Sequence, residues 1–183
     1  LDLNGKTALI SGAGGGIGRA LVGAFQAAGA QILAVDRDPD LLDNLQVDRR
    51  LIVDQADPVG TRKAMMADLD SHGTPDIVVA NAGFTRAEHL GQLDDDVWAS
   101  EIAINLNGAY ALVDPIVARM AQRGSGSVVF VSSVNALQHL GNPAYSAAKA
   151  GLVAYAKAIA VERGEKGVRA NVVAPGSVRT PAW

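Results

Sequence analysis

Six short apolar runs alternate with longer helical stretches along the chain, and this alternation limits the possible folds more than any other feature. The runs are KTALIS (6–11), QILAVD (31–36), RLIVD (50–54), DIVVAN (76–81), SVVFVSS (127–133) and VRANVVAP (168–175). Helical patterns lie between them at about 16–29, 58–71, 94–122 and 144–164. Continuous apolar runs are typical of parallel strands that are covered on both faces. We therefore expect an α/β fold, a doubly wound parallel sheet in one domain (1–183), with a ligand-binding edge where the strands end.

The composition argues against several classes of function. The net charge is −3, so nothing favours nucleic acid or an anionic membrane as a partner. The chain has no cysteine, which excludes disulfides and thiolate chemistry and favours a reducing compartment. No apolar run approaches the roughly 18 to 20 residues of a membrane span. The missing cysteines and membrane span lead us to expect a cytoplasmic protein. The 3 histidines show no ligand spacing, so we expect no metal site.

A glycine-rich stretch, LISGAGGGIG, joins the first run to the first helical pattern. Gly12, Gly16 and Gly18 have the spacing G-x-x-x-G-x-G, with Ile17 between the last two. Glycine lets the chain turn sharply and approach a phosphate, and the N–H groups and dipole of the following helix would hold a pyrophosphate. The alternative is a flexible turn. The position between a buried strand and an amphipathic helix favours a dinucleotide site, and hence a Rossmann-type domain.

Asp36 ends the second run, 18 residues after Gly18. A carboxylate there can accept hydrogen bonds from both hydroxyls of an adenosine ribose, and it would repel a 2′-phosphate. At about 4 Å and an effective dielectric constant near 20, one like-charge pair costs on the order of 4 kcal/mol, which favours NAD over NADP. Arg37 favours the opposite, because its guanidinium could pair with the phosphate. Asp36 also has an alternative role as a cap of the turn or helix at RDPD.

Two further groups follow strand ends. Asp54 ends the third run and could accept a hydrogen bond from the adenine amino group. Its alternative role is the N-cap of the helix near residue 58. Asn81 ends the fourth run and Ala82 and Gly83 follow it directly, where small residues let the backbone pass close to a cofactor. On its own, this tripeptide is compatible with any turn.

Tyr145 and Lys149 stand four residues apart in NPAYSAAKAG, so they share a helix face. A tyrosine that acts as acid or base needs a pKa near 7 rather than about 10, and a nearby ammonium group favours the phenolate. Ser133 ends the fifth run at the same sheet edge, where its hydroxyl can hold a substrate oxygen in line with the phenol. An isolated pair would more often be a partly buried tyrosine beside a lysine that reaches water. The order of the motifs along the chain favours hydride chemistry instead.

Together these motifs resemble the short-chain dehydrogenases/reductases. The resemblance rests on G-x-x-x-G-x-G at 12–18, N-A-G at 81–83, and Ser133 followed by Y-x-x-x-K at 145–149, and it extends from residue 4 to the end of the chain. It implies that the tyrosine is the acid/base, that the lysine binds the nicotinamide ribose and lowers the tyrosine pKa, and that Ser133 orients the substrate. Ser132 is the alternative serine, because its gap to the tyrosine also occurs in the family.

The resemblance implies further site residues. Asn105 in IAINLNGAY, otherwise a poor residue for a helix interior, would hold a proton-relay water. The stretch PGSVRT would line the nicotinamide side of the cofactor through Pro175, Gly176, Val178 and Thr180. The family continues after this stretch with a substrate-covering segment and a seventh strand. We therefore expect the C-terminal part of the fold to be absent from this sequence and the natural protein to be longer.

The sequence thus predicts an oxidoreductase that transfers hydride between NAD(H) and a small alcohol or ketone. One alternative is an NADPH-dependent 3-oxoacyl thioester reductase. The other is a non-catalytic dinucleotide-binding regulator, although such proteins usually lose the tyrosine or the lysine. The stretch 147–161 is apolar nearly all round, which suggests burial against a second subunit. We expect a homodimer or homotetramer formed through the helices at 94–122 and 144–164.

Overall fold

The computed structural model describes residues 2–86 and 88–180. The strands in this part of the chain are β1 (Thr7–Ser11), β2 (Gln31–Asp36), β3 (Arg49–Ile52), β4 (Ile77–Ala80), β5 (Gly126–Val131) and β6 (Val168–Val173). They form a parallel sheet in the order β3-β2-β1-β4-β5-β6. Each of the six apolar runs therefore overlaps a strand, although β3 and β5 begin one residue before their runs, and the Rossmann-type doubly wound α/β fold is confirmed.

The helices are α1 (Gly16–Ala27), α2 (Pro39–Asp43), α3 (Pro58–His72), α4 (Asp95–Ile102), α5 (Gly108–Arg123) and α6 (Pro143–Arg163). The helix predicted at 94–122 is divided, because a π-helical turn (Ala103–Asn107) separates α4 from α5. Helix α2 was not predicted. It forms because proline suits the first helical position and the Asp38 side chain accepts hydrogen bonds from the next two free N–H groups. None of the helices in the described ranges combines the length and the apolar character needed to cross a membrane.

The helices cover the two faces of the sheet unequally. One core lies between the sheet and α3, α5 and α6, and a smaller core lies between the sheet and α1 and α2. Leu9 and Ile10 of β1 are consecutive and both fully buried, one in each core. This two-sided burial explains why the inner strands are continuous apolar runs.

The expectation that every strand is covered on both faces is wrong for the two edge strands. Ile52 of β3 is 57% exposed and Val173 of β6 is 53% exposed. Their neighbours, Leu51 and Val172, pack against the larger core, so the exposed side chains lie on the opposite face. There α1 and α2 pack on β1 and β2 and leave the edges open.

Candidate active site

The loop between β1 and α1 is tightly packed. Gly12 has φ +62°, and a Cβ there would lie 2.9 Å from the Cα of Ala82. A Cβ on Gly18 would lie 2.0 Å from the carbonyl oxygen of Gly12, so both positions require glycine. Gly15 is the N-cap of α1 and has no side chain to cap the helix, which leaves the first N–H groups, from Gly16 onward, to bind an anion. The loop has the features of a phosphate-binding turn, and the flexible-turn alternative does not describe it.

A crevice of two adjoining cavities lies at the carboxyl ends of the strands. One cavity, of about 390 Å³, lies beside the glycine loop, and the other, of about 370 Å³, contains Tyr145 and Lys149. The residues that line both cavities are Ile17, Asn81, Gly83, Phe84 and Thr180. The structure therefore brings the glycine loop, the strand ends and the tyrosine helix together along one crevice. The crevice opens where the strand order reverses, between β1 and β4, as expected for a doubly wound sheet.

Asp36 lines the larger cavity and also forms a turn. Its Oδ2 accepts a hydrogen bond from the N–H of Gly14 at 3.0 Å, and its Oδ1 accepts from the N–H groups of Arg37 and Asp38 at 2.8 and 3.3 Å. A carboxylate can accept about four hydrogen bonds, so capacity remains for ribose hydroxyls. Arg37 is exposed and lines the same cavity. Both roles considered for Asp36 are therefore compatible with its position.

Asp54 also lines the larger cavity. Its Oδ1 accepts a hydrogen bond from the N–H of Ala56 at 2.9 Å, and the N-cap of α3 is Asp57, whose side chain accepts from the N–H of Gly60. The alternative role of Asp54 as that N-cap is wrong, because Asp57, three residues further along the chain, occupies the N-cap position. Its carboxylate lies at the surface beside the cavity.

Asn81 and Ala82 fasten the end of β4 to the end of β1. The side-chain amide of Asn81 donates to the carbonyl oxygens of Ser11 and Gly12 at 3.0 and 3.2 Å. The N–H groups of Asn81 and Ala82 donate to the Ser11 hydroxyl at 3.0 and 3.1 Å. These bonds hold the two innermost strand ends together and place Gly83 between the two cavities.

Asn105 lies in the π-helical turn and is fully buried. Its Oδ1 accepts from the N–H of Phe84 at 2.9 Å, and its Nδ2 donates to the carbonyl oxygens of Phe84 and Glu101 at 2.6 and 2.9 Å. A Cβ on Gly83 would lie 3.0 Å from both Asn105 Oδ1 and Lys149 Nζ. The side chain therefore clamps the backbone after β4 beside the lysine. Such π-helical turns are frequent at functional sites.

Tyr145 and Lys149 line the smaller cavity from one face of α6. The lysine Nζ lies 5.4 Å from the centre of the tyrosine ring and donates to the carbonyl oxygen of Val131 at 2.9 Å. Lys149 is 2% exposed, and burial of its ammonium group lowers its pKa to about 8. The alternative of a lysine that reaches water is therefore wrong, because the amine is held inside the protein.

The pKa of Tyr145 is raised, whereas the sequence predicts that it is lowered. Burial of the phenol is the largest cause, and the negative charge of Glu101 acts in the same direction, while a hydrogen bond with Ser133 lowers the pKa. Because the phenolate would be poorly solvated and close to a carboxylate, the chain's own groups favour the protonated phenol. The ammonium of Lys149 does not outweigh these effects.

The geometry favours Ser133 over Ser132 as the serine that faces the phenol. The Ser132 hydroxyl donates to the backbone carbonyl oxygen of Lys149 in α6 at 2.9 Å, so its hydrogen is already bonded. The Ser133 hydroxyl acts on the pKa of Tyr145 through a hydrogen bond. It also accepts from the N–H of Asn135 at 3.2 Å, which fixes its position after β5.

The stretch after β6 lines the smaller cavity. The predicted residues there are Pro175, Gly176, Val178 and Thr180, and all of them line it. The carbonyl oxygen of Pro175 accepts a hydrogen bond from the N–H of Val134 at 3.0 Å, which ties this stretch to the residue after Ser133. Trp183, the last residue of the sequence, lies outside the described residues.

Sequence reasoning missed Glu101. Its side chain is 0% exposed, and its carboxylate accepts hydrogen bonds from Thr85 and Arg86 in the segment after β4. The signal available in the sequence is weak. Glu101 lies four residues before Asn105, on the same helix side, but a glutamate on a helix that begins with exposed aspartates is ordinarily a surface residue.

No metal centre is found among residues 2–86 and 88–180, since no three His, Cys, Asp or Glu side chains there lie close enough to share an ion. His72 instead contacts Asp68 one turn earlier on α3, with Nδ1 3.2 Å from Oδ1. His89 and His139 are exposed in separate loops.

Comparisons with known proteins identify the family of the chain. A model of the short chain dehydrogenase family matches residues 6–183. An uncharacterised oxidoreductase of Schizosaccharomyces pombe is 36% identical over 185 residues, which cover 100% of this chain and 71% of that protein. The 3-oxoacyl-(acyl-carrier-protein) reductase FabG of Thermotoga maritima is 33% identical over 192 residues, covering 99% of this chain and 77% of that protein. The crystal structure of a short chain dehydrogenase/reductase family oxidoreductase from Burkholderia thailandensis is 43% identical and superposes with a TM-score of 0.88, covering 97% of this chain and 71% of that one.

Proposed function

The chain belongs to the short chain dehydrogenase family, and on that premise we propose that it transfers hydride between NAD(H) and a small alcohol or carbonyl compound. Family membership makes it an oxidoreductase that acts on CH–OH or carbonyl groups with a nicotinamide dinucleotide. The preference for NAD and the nature of the substrate are our proposal. So is a cytoplasmic location, which the absence of cysteine favours.

One observation carries the proposal: Ser133, Tyr145 and Lys149 line one end of a crevice whose other end is the glycine loop. The close approach at Gly12 and Gly18 and the uncapped start of α1 fit a pyrophosphate at the helix N-terminus. When bound, the nicotinamide supplies or accepts the hydride.

The chain's own residues then handle the proton and the substrate oxygen. The Tyr145 hydroxyl gives a proton to the oxygen during carbonyl reduction and takes one during alcohol oxidation. The Ser133 hydroxyl holds the same oxygen. Lys149 binds the nicotinamide ribose from its buried position, and Asn105 supports the proton relay beside it. Because the pKa of Tyr145 is raised, the phenol stays protonated at neutral pH, which favours carbonyl reduction under those conditions.

Turnover assays with NADH or NAD and a panel of small ketones and alcohols test the proposal, with the NADH absorbance as the signal. We expect steady turnover that requires both cofactor and substrate. Tight NADH binding without turnover of any substrate would instead support the non-catalytic dinucleotide-binding regulator.

A second candidate function is the reduction of 3-oxoacyl thioesters with NADPH. It is favoured by the 33% identity with a 3-oxoacyl-(acyl-carrier-protein) reductase over nearly the whole chain. Acetoacetyl-coenzyme A distinguishes the two candidates. Faster turnover of this thioester with NADPH than of any simple ketone with NADH would replace the first proposal by the second.

NADH is expected to bind more tightly than NADPH, by at least roughly tenfold. The 2′-phosphate would approach the Asp36 carboxylate, and a like-charge pair at about 4 Å costs on the order of 4 kcal/mol before Arg37 and salt reduce it. Dissociation constants for both cofactors, measured at one ionic strength by quenching of protein fluorescence, give the ratio.

Two variants show whether Asp36 causes this preference. Asp36→Asn removes the charge and keeps one acceptor oxygen for the backbone N–H groups that the carboxylate now binds, so it should bring the two dissociation constants together. Asp43→Asn removes an exposed carboxylate from α2 and should leave the ratio unchanged. Equal affinities in the unaltered protein, or tighter NADPH binding, would contradict the NAD preference and make Arg37 a phosphate ligand.

The outward faces of α4, α5 and α6 favour self-association, and we propose a dimer or tetramer. Trp98, Tyr110 and Val161 are 44%, 45% and 81% exposed, which is unusual for apolar and aromatic residues on neighbouring helices of a monomer. Light scattering is expected to show an oligomer at micromolar concentration.

Ala154→Arg on the exposed side of α6 should shift the oligomer towards monomer, whereas Ala24→Arg on α1 should not. Only monomer in the unaltered protein would contradict the assembly.

A further inference from the structure

Glu101 is a fully buried carboxylate on α4 to which the proposed chemistry gives no role. The Thr85 hydroxyl donates to it, 3.2 Å from each oxygen, and the N–H of Arg86 donates to Oε1 at 2.5 Å. Burial of an ionised carboxylate is costly unless strong hydrogen bonds compensate. These bonds therefore hold the segment after β4 against α4.

Glu101 and Asn105 act on consecutive residues of that segment. Asn105 bonds both backbone groups of Phe84, and Glu101 bonds the next two residues. Phe84 and Thr85 line the smaller cavity opposite α6. One wall of the cavity is therefore fixed by two polar side chains of the α4 region.

The Thr85 hydroxyl connects this wall to the helix that carries Tyr145. It accepts a hydrogen bond from the side-chain amide of Asn142, the N-cap of α6, at 3.2 Å. A hydroxyl has a single hydrogen, and a carboxylate can only accept. Glu101 therefore takes the Thr85 hydrogen and leaves the hydroxyl lone pairs for Asn142, so the carboxylate determines the direction of both bonds.

We propose that Glu101 is a positioning residue, which fixes the cavity wall at Phe84 and Thr85 relative to Tyr145 through the Thr85 hydroxyl and Asn142. The inference rests on the proposed function of the same site. A carboxylate is required at position 101. An amide there could donate a hydrogen bond to the Thr85 hydroxyl, which could then reverse the direction of its own hydrogen bonds.

Glu101 also acts on Tyr145 through its charge, since it raises the pKa of the phenol. The charged or titratable side chains on the elements around Tyr145 include Glu101, Asp95 and Asp96 of α4, Lys149 and Lys157 of α6, Arg86 and Glu88 after β4, His139 after β5 and Arg179 after β6. All except Glu101 and Lys149 are on exposed residues, where solvent and salt screen them. Removing the Glu101 charge is therefore expected to move the phenol titration to lower pH.

Glu101→Gln tests the proposal with two readouts. The KM for a carbonyl substrate should rise roughly tenfold, as expected when a buried hydrogen-bonded group loses its partner, while the Kd for NADH changes little. The pKa of Tyr145 should fall. It is followed by tyrosinate absorbance as the difference between each protein and the same protein carrying Tyr145→Phe, so this readout needs no turnover.

Three further variants separate geometry from charge. Thr85→Val breaks the connection and keeps the carboxylate, so KM should rise while the Tyr145 titration stays in place. Glu101→Asp keeps the negative charge on a shorter side chain. The pKa of Tyr145 should then stay as in the unaltered protein, whereas KM should be raised as in Glu101→Gln. Asp96→Asn removes an exposed carboxylate from the same helix and should change neither.

An unchanged KM and an unchanged Tyr145 titration in Glu101→Gln would overturn the proposal. If that variant does not fold, Thr85→Val decides, and a KM equal to that of the unaltered protein overturns it. If the unaltered protein turns over no substrate, the proposed function fails, but Glu101 is still tested. The Tyr145 titration must then shift, and amide hydrogen exchange at Arg86 must become faster in Glu101→Gln, or the inference is wrong.

Discussion

Replacing Tyr145 with phenylalanine is expected to lower turnover by roughly 10³-fold, within the range of general acid–base catalysis, while NADH binding stays nearly unchanged. Phenylalanine keeps the ring whose centre lies 5.4 Å from Lys149 Nζ and removes the hydroxyl that exchanges the proton. Only the proton route is lost, so the effect should appear in kcat. Measurements of kcat, KM and the Kd for NADH on the same preparation separate these quantities.

Tyr155→Phe is the matched control for this variant. Tyr155 lies on the same helix, but its ring packs edge-to-face against Phe130 and Tyr110 at 5.5 and 5.6 Å, and it does not line the crevice. Removal of its hydroxyl should leave turnover intact. If Tyr145→Phe keeps more than about a tenth of the rate, the loss is far below that of a general acid or base, and the role assigned to Tyr145 is wrong.

The inner part of the sheet could be predicted from the sequence because burial there leaves little choice of residue. Leu9 and Ile10 face opposite cores, so an apolar side chain is needed at each successive position. The edge strands are also continuous apolar runs in the sequence, although only one of their faces is covered. In β3, Leu51 packs on the larger core while Ile52 faces solvent, and an exposed isoleucine looks the same in the sequence as a buried one.

The location of the candidate site could also be predicted, because topology alone brings strand ends together. Gly12, Asn81 and Ser133 follow three parallel strands, so they meet at one edge wherever their side chains point. Glu101 could not be found in this way. Its carboxylate is bonded by Thr85 and Arg86, in a segment that folds back over α4, and no local pattern in the sequence predicts that path.

The direction of the Tyr145 pKa shift depends on the same missing information. The four-residue spacing from Lys149 shows that an ammonium is close, and the sequence therefore predicts a lowered pKa. The structure adds burial of the phenol and the charge of Glu101, and both raise it. Proximity along a helix can be predicted from spacing, whereas solvation depends on the whole fold.

Lys149→Met is expected to stabilise the protein and to inactivate it. The pKa of Lys149 falls from 10.5 in its usual state to about 8 on burial, which corresponds to about 3 kcal/mol against folding at neutral pH. Methionine has a similar length and no charge, but it loses the hydrogen bond to Val131, a loss of about 1 kcal/mol. The free energy of unfolding at neutral pH should therefore rise by about 2 kcal/mol, while turnover and NADH affinity fall.

The pH dependence of stability identifies the cause of this gain. Below about pH 8 the lysine is protonated in both folded and unfolded protein, so the cost of burying the charge is fully present. Between about pH 8 and pH 10.5 the folded state releases the proton before the unfolded state does, and stability rises with pH. The difference between Lys149→Met and the unaltered protein should therefore shrink through this window in urea unfolding experiments.

Lys157→Met is the matched control, because Lys157 is an exposed lysine on the same helix and should change neither stability nor its pH dependence. If Lys149→Met were less stable than the unaltered protein at neutral pH, the bond to Val131 would outweigh the desolvation of the ammonium, and the lysine would be a structural residue. A variant that is more stable but inactive has the opposite meaning. Folding alone would then favour an uncharged side chain at this position, so the ammonium beside Tyr145 would be present for its chemistry.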